Sequence, residues 1–220
     1  MKKLFDRLID GAPPAAPLSA EAQADDEGFF ATVFMERPPE QPQAADQARD
    51  AARQRLRQGA EPLDAARGLP LLERAWGRDR WMAMLDSAQR QRLAASLEFL
   101  AVPGGREVIA QDEPGDFAVI VLDGVLAIDR IQPWGARARL SEARDGDVLG
   151  ELSLLDAGMR FSSCMTLGRC VLAIIDTARL EELARRDPQL AFVLLACIAR
   201  RLSLRMRQVS ARLGALLSSA

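Results

Sequence analysis

The feature that most constrains the fold of this 220-residue chain is a series of turns that recurs about every ten positions between residues 103 and 168. Short apolar runs separated by turns at this spacing are typical of antiparallel sandwiches and jelly rolls. The apolar runs 117–122 and 125–128 flank Asp123-Gly124, a dipeptide that predicts a two-residue hairpin. The turn residues are Pro103-Gly104-Gly105, Pro114-Gly115-Asp116, Asp123-Gly124, Pro133-Trp134-Gly135, Asp145-Gly146-Asp147, Ala157-Gly158 and Gly168.

Helical periodicity flanks this β-rich segment on both sides. Residues 63–98 carry apolar side chains at helical spacing, and internal Gly and Pro residues divide them into more than one helix. After the last predicted strand, Thr177 can cap a short helix, and Pro188 opens a long helix that reaches about residue 217. The predicted fold class is α+β: an antiparallel, jelly-roll-like β-roll with N-terminal helices and a long C-terminal helix.

The long helix predicts a homodimer. At ~1.5 Å per residue it is too long to lie wholly across a roll of this size. Its apolar residues follow one another at steps of three or four positions, a pattern that suits pairing with a second helix. They are Ile198, Leu202, Met206, Val209, Leu213 and Leu216. We therefore expect a homodimer through the helix 188–217.

The N-terminal segment differs in composition from the rest. Residues 11–61 are rich in Pro, Ala, Gln and acidic residues and bury too little apolar surface to offset the entropy of ordering. The predicted organisation is a mostly disordered tail at 1–62 and one domain at 63–217, with helices at 63–98, the roll at 99–176 and C-terminal helices at 177–217. Two apolar islands interrupt the tail. Residues 1–9 either bind a partner or membrane surface or pack on their own domain, and for residues 29–35 self-docking is favoured over a partner motif.

Composition excludes most catalytic architectures. The chain contains no His, which removes Ser–His and Cys–His triads, His-ligated zinc and haem, and the usual general base. Neither paired carboxylates nor a metal-binding spacing is present, so we expect no enzymatic activity, no catalytic residue, no metal and no cofactor. Cys164, Cys170 and Cys197 lack a C-x-x-C pairing and are predicted to be buried thiols.

Charge and hydropathy favour a cytoplasmic protein without a direct DNA-binding role. The net charge is -2, and the arginines of the long helix are interpreted as a solvated face rather than a nucleic-acid surface. Only residues 218–220 follow that helix, too few for a helix-turn-helix module. No export signal is expected, because Asp6, Arg7 and Asp10 interrupt the N-terminal apolar stretch. No membrane span is expected, because no uninterrupted apolar run reaches ~18 residues.

One motif carries recognisable chemistry. Gly150-Glu151-Leu152-Ser153-Leu154 places a glycine turn before a short helical turn, and Arg160 follows Glu151 by nine positions. An arginine can bind a phosphate through two parallel hydrogen bonds, and a carboxylate accepts hydrogen bonds from a sugar hydroxyl. The pair fits the phosphate and ribose of a nucleotide, although the spacing alone favours a solvated ion pair.

This motif resembles the phosphate-binding cassette of cyclic nucleotide-binding domains of the Crp/Fnr superfamily, in a stand-alone form without a helix-turn-helix domain. The resemblance extends from about Leu97 to Leu213. It implies that Glu151 binds the ribose 2′-hydroxyl, that Arg160 and the amides around Leu152 and Ser153 bind the cyclic phosphate, and that the long helix near Arg205 and Met206 closes over the base. Further matching segments are Gly105-Arg106-Glu107-Val108-Ile109, Gly115-Asp116-Phe117, Leu122-Asp123-Gly124 and Asp187-Pro188-Gln189-Leu190.

The resemblance implies a cyclic nucleotide ligand, cyclic AMP first, with cyclic GMP or a cyclic dinucleotide as alternatives. Phe161 departs from the family, where a small residue follows the arginine, and it either stacks on a purine or fills the pocket. These alternatives correspond to two functions: a sensor that signals through protein–protein contacts, with the N-terminal segments as a further partner site, or a ligand-free scaffold that retains the fold. The candidate ligand-binding residues are Gly150, Glu151, Leu152, Ser153, Arg160, Phe161, Ser162, Ser163 and Arg205.

Overall fold

Two antiparallel sheets form a β-roll in the computed structural model, which describes residues 42–218. The strands are β1 (Glu61–Leu63), β2 (Glu98–Val102), β3 (Glu107–Ile109), β4 (Phe117–Asp123), β5 (Leu126–Ile131), β6 (Arg137–Ala143), β7 (Val148–Leu149), β8 (Ser163–Thr166) and β9 (Cys170–Asp176). One sheet has five strands in the order β1-β2-β9-β4-β7, and the other has four in the order β3-β8-β5-β6. The predicted α+β class is confirmed.

The five-stranded sheet is buried on both faces, which explains its nearly continuous apolar strands. In β4, Phe117, Val119 and Val121 point between the two sheets, whereas Ala118 and Ile120 point toward the helices. This alternation follows from the two-residue period of a strand. The roll interior and the helix-covered face are consequently two separate apolar clusters on opposite sides of one sheet.

The hairpin predicted at Asp123-Gly124 is wrong. The strand before it, β4, pairs with β7 and β9, whereas the following strand, β5, pairs with β6 and β8. The chain therefore passes from one sheet to the other at this turn. The local hairpin of this region joins β5 to β6 instead, where Gln132 N donates to Ala136 O at 2.8 Å. Turn chemistry marks both reversals, but only non-local pairing decides which strands become neighbours.

Helices cover the outer face of the five-stranded sheet, and acidic residues cap several of them. The Asp86 side chain accepts the Gln89 amide in a reciprocal capping box. Asp176, rather than the predicted Thr177, caps the first C-terminal helix by accepting the Arg179 amide at 2.8 Å. The helices are α1 (Pro42–Arg57), α2 (Ala65–Trp76), α3 (Ser87–Ala95), α4 (Glu151–Asp156), α5 (Thr177–Arg186) and α6 (Pro188–Ser218), with a 3₁₀ turn at Met82–Met84.

The structure differs from the predicted tail over residues 42–62, which form helix α1 and strand β1. Ala52 and Leu56 of α1 lie one helical turn apart and pack into the roll interior. The arginines of α1 also form ion pairs with carboxylates of the roll. These contacts offset the poor apolar content of the segment, and they are invisible in local composition. Residues 1–41, including both apolar islands, lie outside the described residues.

Helix α6 is 31 residues long and divides into a buried and an exposed half. Leu190, Leu194 and Ile198 are buried against the helix-covered face of the sheet. Ile198 was predicted to belong to the dimer seam, but it is 1% exposed inside its own domain. The later seam residues Met206 and Leu213 are more than half exposed, so the unpaired part of the seam starts beyond Leu202.

The three cysteines are buried, as the sequence predicts. Cys164, Cys170 and Cys197 are buried free thiols, and burial raises the pKa of Cys164 and of Cys197 to about 12. Across residues 42–218, the helices include none with the length and apolar character needed to span a bilayer. No group of three metal-ligating side chains occurs in this same part of the chain.

Candidate functional site

The candidate site begins where β7 ends and the short helix α4 starts. Gly150 joins them with a φ of 75°, a left-handed conformation that side chains rarely adopt. A Cβ at this position would lie 2.5 Å from Arg160 Nη1 and 2.9 Å from Phe117 O. The glycine therefore serves both the turn and the close approach of the arginine. The first intrahelical bond runs from Leu154 N to Gly150 O, so the amides of Leu152 and Ser153 precede it.

Arg160 is buried, with only 2% of its surface exposed, and its guanidinium is incompletely paired. Nη1 donates to Gly150 O at 2.8 Å, and the guanidinium lies 4.3 Å above the Phe117 ring. Within residues 42–218, Nε and Nη2 have no hydrogen-bond partner. A Cβ at Gly115 would lie 2.3 Å from Nε, so this second glycine also makes room for the side chain.

The electrostatic environment of Arg160 favours an anion. Burial lowers the pKa of Arg160, and the carboxylates of Glu113 and Asp116 oppose this shift from a distance. Arg160 forms no ion pair among the described residues, whereas most of the arginines around it do. Leaving a buried charge unpaired costs several kcal/mol, on the order of 3–5. An anion that accepts from Nε and Nη2 would remove this cost.

Glu151 is paired with helix α6 rather than with Arg160. Its side chain is buried, and Oε1 accepts a hydrogen bond from Arg205 Nη1 at 2.7 Å. Arg205 also donates through Nη2 to Val148 O. Oε2 of Glu151 accepts no hydrogen bond from the described part of the chain. The structure thus links Glu151 directly to Arg205 of helix α6, while Arg160 binds Gly150 at the start of the cassette.

Phe161 does not fill the cassette. It is 48% exposed, and its ring lies beneath the Arg130 guanidinium at 4.0 Å. Ser162 follows it in a bend, and Ser163 opens β8, where its hydroxyl accepts the Gln111 amide at 3.1 Å. Among the described residues, the side chains of Phe161 and Ser163 thus contact Arg130 and Gln111 rather than Glu151.

The loop at residues 112–116 was missed as part of the site. Arg160 N donates to Glu113 O at 2.8 Å, and Asp112 N donates to Arg160 O at 2.9 Å. The loop backbone therefore fixes the position of Arg160. The sequence signal was present in Pro114-Gly115-Asp116, but it was interpreted as a turn and as part of the family resemblance, not as part of the site.

A second arginine fixes α6 one turn before Arg205. Arg201 Nε donates to Gly146 O at 2.6 Å, and its guanidinium lies 4.1 Å from the Trp76 ring. Asp79 is buried and pairs with both Arg200 and Arg201. Burial raises the pKa of Asp79. Hydrogen bonds from the Trp81 amide and Cys197, together with the charges of the two arginines, lower this pKa by more, so it lies below its ordinary value. Helix α6 is therefore attached to the segment that leads into the cassette.

Comparison with known proteins identifies the family of this domain. The family model described as "Cyclic nucleotide-binding domain" matches residues 99–187. A CRP-like cAMP-activated global transcriptional regulator of Mycobacterium tuberculosis is 34% identical over 110 residues, 50% of this chain and 49% of that protein. Residues 99–187 form a cyclic nucleotide-binding domain of the Crp/Fnr type. The cyclic AMP receptor protein of Thermus thermophilus is 31% identical over 100 residues, 46% of each chain. The chain thus spans about half the length of these curated relatives.

Solved structures agree with this assignment of the domain. The N-terminal domain of a transcriptional regulator from Streptomyces coelicolor A3(2) aligns with a TM-score of 0.50 and 28% identity over 60% of this chain and 92% of that one. The catabolite activator protein of Thermus thermophilus gives a TM-score of 0.52 and 25% identity over 62% of each chain. A cyclic nucleotide-binding domain from Methylobacillus flagellatus KT gives a TM-score of 0.65 at 19% identity, over 70% of this chain and 86% of that one, and shows the fold alone. The curated relatives and the regulators among these structures are named as regulators or receptors, not as enzymes.

Proposed function

We propose that this chain binds a cyclic nucleotide, cyclic AMP first, between the cassette and helix α6, and that it is a cytoplasmic regulatory protein. The observation that carries the proposal is the pair of buried donors on Arg160 that have no hydrogen-bond partner within residues 42–218. A cyclic monophosphate carries one negative charge and offers acceptor oxygens that such a guanidinium can bind in parallel. The names of the two curated relatives, a cAMP-activated regulator and a cyclic AMP receptor, support cyclic AMP as the first ligand to test.

Glu151 would bind the sugar while it keeps its hydrogen bond to Arg205 of helix α6. Oε1 holds Arg205, and Oε2 can still accept a hydrogen bond from a ribose hydroxyl. A ligand at this carboxylate would therefore touch the group that anchors α6. Any change in the position of Glu151 on binding would pass directly to Arg205 and so to the long helix.

The output of the protein is proposed to be a protein–protein contact. Met206, Val209, Leu213 and Leu216 form an apolar stripe that is 55–70% exposed in one chain. The self-complementary spacing of this stripe favours a second copy of the same helix as its partner. A ligand that shifts α6 through Arg205 would alter the start of this stripe. The N-terminal residues 1–41 remain a proposed site for a further protein partner, and direct DNA binding is not part of the proposal.

A ligand-free scaffold is the second candidate, and one observation favours it. Arg160 is 2% exposed and Glu151 is already paired, so the two groups are enclosed in this conformation. In a scaffold, the cassette would serve only to connect the roll to α6. It would be stable without ligand, and nucleotides would not raise its melting temperature.

Isothermal titration of the full chain with cyclic AMP, cyclic GMP and cyclic di-GMP distinguishes the two candidates. We expect saturable binding of at least one of them, with cyclic AMP binding lost in Arg160→Ala. Arg169→Ala, which removes an exposed arginine that pairs with Glu61 of β1, is the matched control and should change affinity much less. Absence of binding by all three nucleotides would support the scaffold, and binding that survives Arg160→Ala would contradict the proposed site.

A further inference from the structure

Helix α1 lies outside the segment that matches the family, and it contacts the loop that positions Arg160. Arg53 Nη1 donates to Asp116 Oδ2 at 2.6 Å. Arg55 Nη2 donates to both carboxylate oxygens of Glu113, at 2.8 and 2.7 Å. The two carboxylate side chains are 15% and 14% exposed, so these pairs are shielded more than ordinary surface ion pairs.

Glu113 joins helix α1 to Arg160 through a single residue. Its side chain binds Arg55, and its backbone carbonyl accepts the Arg160 amide at 2.8 Å. Its carboxylate also accepts the Ala110 amide at 3.1 Å, which fixes the side chain relative to its own loop. The pairing of Pro114 with Met159 continues this contact between the two backbone segments. A displacement of Arg55 would therefore be transmitted to Arg160 through Glu113.

The charges on this loop matter for an anion at Arg160. Glu113 and Asp116 are the two carboxylates that act most strongly on the buried guanidinium. Both would repel a phosphate that binds there if they lacked cationic partners. Arg53 and Arg55 supply those partners from the opposite side of the loop. With α1 docked, the surroundings of Arg160 are less negative than with α1 displaced.

We infer that Arg53 and Arg55 are positioning residues for the anion site, because they hold the 112–116 loop and neutralise the carboxylates behind Arg160. The inference rests on the proposed function and adds that α1 regulates it. Docking of α1 and binding of an anion at Arg160 then favour each other. Linkage makes this coupling reciprocal, so the ligand must stabilise α1 as much as α1 strengthens ligand binding.

The test titrates cyclic AMP into the full-length wild type, Arg53→Ala, Arg55→Ala, Arg57→Ala and the double variant Arg55→Ala/Glu113→Gln. We expect Arg53→Ala and Arg55→Ala to bind cyclic AMP about tenfold more weakly than the wild type. Arg57→Ala is the matched control, because Arg57 pairs with Glu98, away from the loop, and Glu98 retains Arg179 at 3.4 Å. It should bind within about twofold of wild type.

The double variant separates charge neutralisation from simple anchoring of the helix. Removing the Glu113 carboxylate abolishes the repulsion that Arg55 balances, so affinity should return to within about threefold of wild type. A purely structural role of Arg55 predicts no such rescue. Wild-type affinity in Arg53→Ala and Arg55→Ala, or a double variant as weak as Arg55→Ala, would overturn the inference.

Hydrogen exchange measured without nucleotide tests whether Arg55 holds the 112–116 loop. This test is valid even if the wild type binds no cyclic nucleotide and the proposed function fails. We expect faster exchange of the Asp112 and Arg160 amides in Arg55→Ala and unchanged exchange in Arg57→Ala. Equal exchange in Arg55→Ala and wild type would overturn the inference. Where cyclic AMP does bind, it should slow exchange in residues 45–56 of the wild type, and the absence of this effect would contradict the reciprocal coupling.

Discussion

Glu151 Oε1 and Arg205 Nη1 lie 2.7 Å apart and connect the start of the cassette to a helix 54 positions later in the chain. The carboxylate is buried, whereas the arginine is partly exposed. The residue expected to bind the sugar is therefore also the residue that holds the long helix. This shared role gives the domain a direct physical route from ligand to helix.

Removing Arg205 should destabilise the domain, because Glu151 would remain buried without its cationic partner. For Arg205→Ala we expect a loss of about 1–3 kcal/mol in the free energy of unfolding. Urea denaturation followed by circular dichroism measures it. Arg212→Ala, at an exposed position farther along α6, serves as the control and should be nearly neutral. Equal stabilities of the two variants would show that the ion pair contributes nothing.

A methyl group at Gly115 should displace Arg160, because a Cβ there would lie 2.3 Å from Nε. We expect Gly115→Ala to lower the free energy of unfolding by about 1–3 kcal/mol and to weaken binding of cyclic AMP. Gly168→Ala is the control, since nothing lies within 4 Å of its Cβ position. Urea denaturation and calorimetric titration measure the two effects. A Gly115→Ala protein that matches the Gly168→Ala protein in both would refute the assigned packing.

Truncating Leu56 should reveal whether helix α1 is part of the domain. Its side chain is 4% exposed in the roll interior, so Leu56→Ala is expected to cost about 2–5 kcal/mol of stability. Gln54→Ala, at an exposed position of the same helix, should be neutral. The comparison uses urea denaturation of the full chain. A neutral Leu56→Ala would mean that α1 is not docked in solution.

Glu98 should make stability depend on acidity. The hydrogen bond from Arg57 holds the pKa of Glu98 below its ordinary value of 4.5, with Arg179 adding to the effect. A pKa that is lower in the folded state than in the unfolded state stabilises the protein at pH values above the unfolded-state pKa. This stabilisation is lost as the pH falls through the folded-state pKa. Unfolding at about pH 7 and about pH 3 should therefore differ less for Glu98→Gln than for wild type. The exposed Glu181→Gln should retain the wild-type difference, and an equal change in both variants would exclude the assignment.

The sequence predicted those parts of the molecule that depend on local patterns. Recurrent turns indicated the roll, and the resemblance of Gly150-Glu151-Leu152-Ser153-Leu154 with Arg160 to cyclic nucleotide-binding domains indicated the cassette. The hairpin at Asp123-Gly124 was wrong because a turn dipeptide reports a chain reversal and not the sheet to which the next strand belongs.

Helix α1 was missed because its stabilising contacts are distant in sequence. Arg53 pairs with Asp116 across 63 positions, and Arg55 pairs with Glu113 across 58. The composition of the segment is dominated by polar residues and alanine, so it gives no indication of these contacts. The link between Glu151 and Arg205 was missed for a similar reason, since the sequence placed Arg205 near the base but gave no indication of its carboxylate partner.

The most direct test of the central claim observes one of the two unpartnered donors on Arg160. The Nε–H resonance of Arg160, assigned by its loss in Arg160→Lys, is followed by nuclear magnetic resonance during titration with cyclic AMP and, separately, with adenosine. The account predicts a saturable shift and slower exchange of this proton with cyclic AMP and neither effect with adenosine, which lacks the phosphate. A resonance that stays unchanged at saturating cyclic AMP, or that responds equally to adenosine, would contradict it.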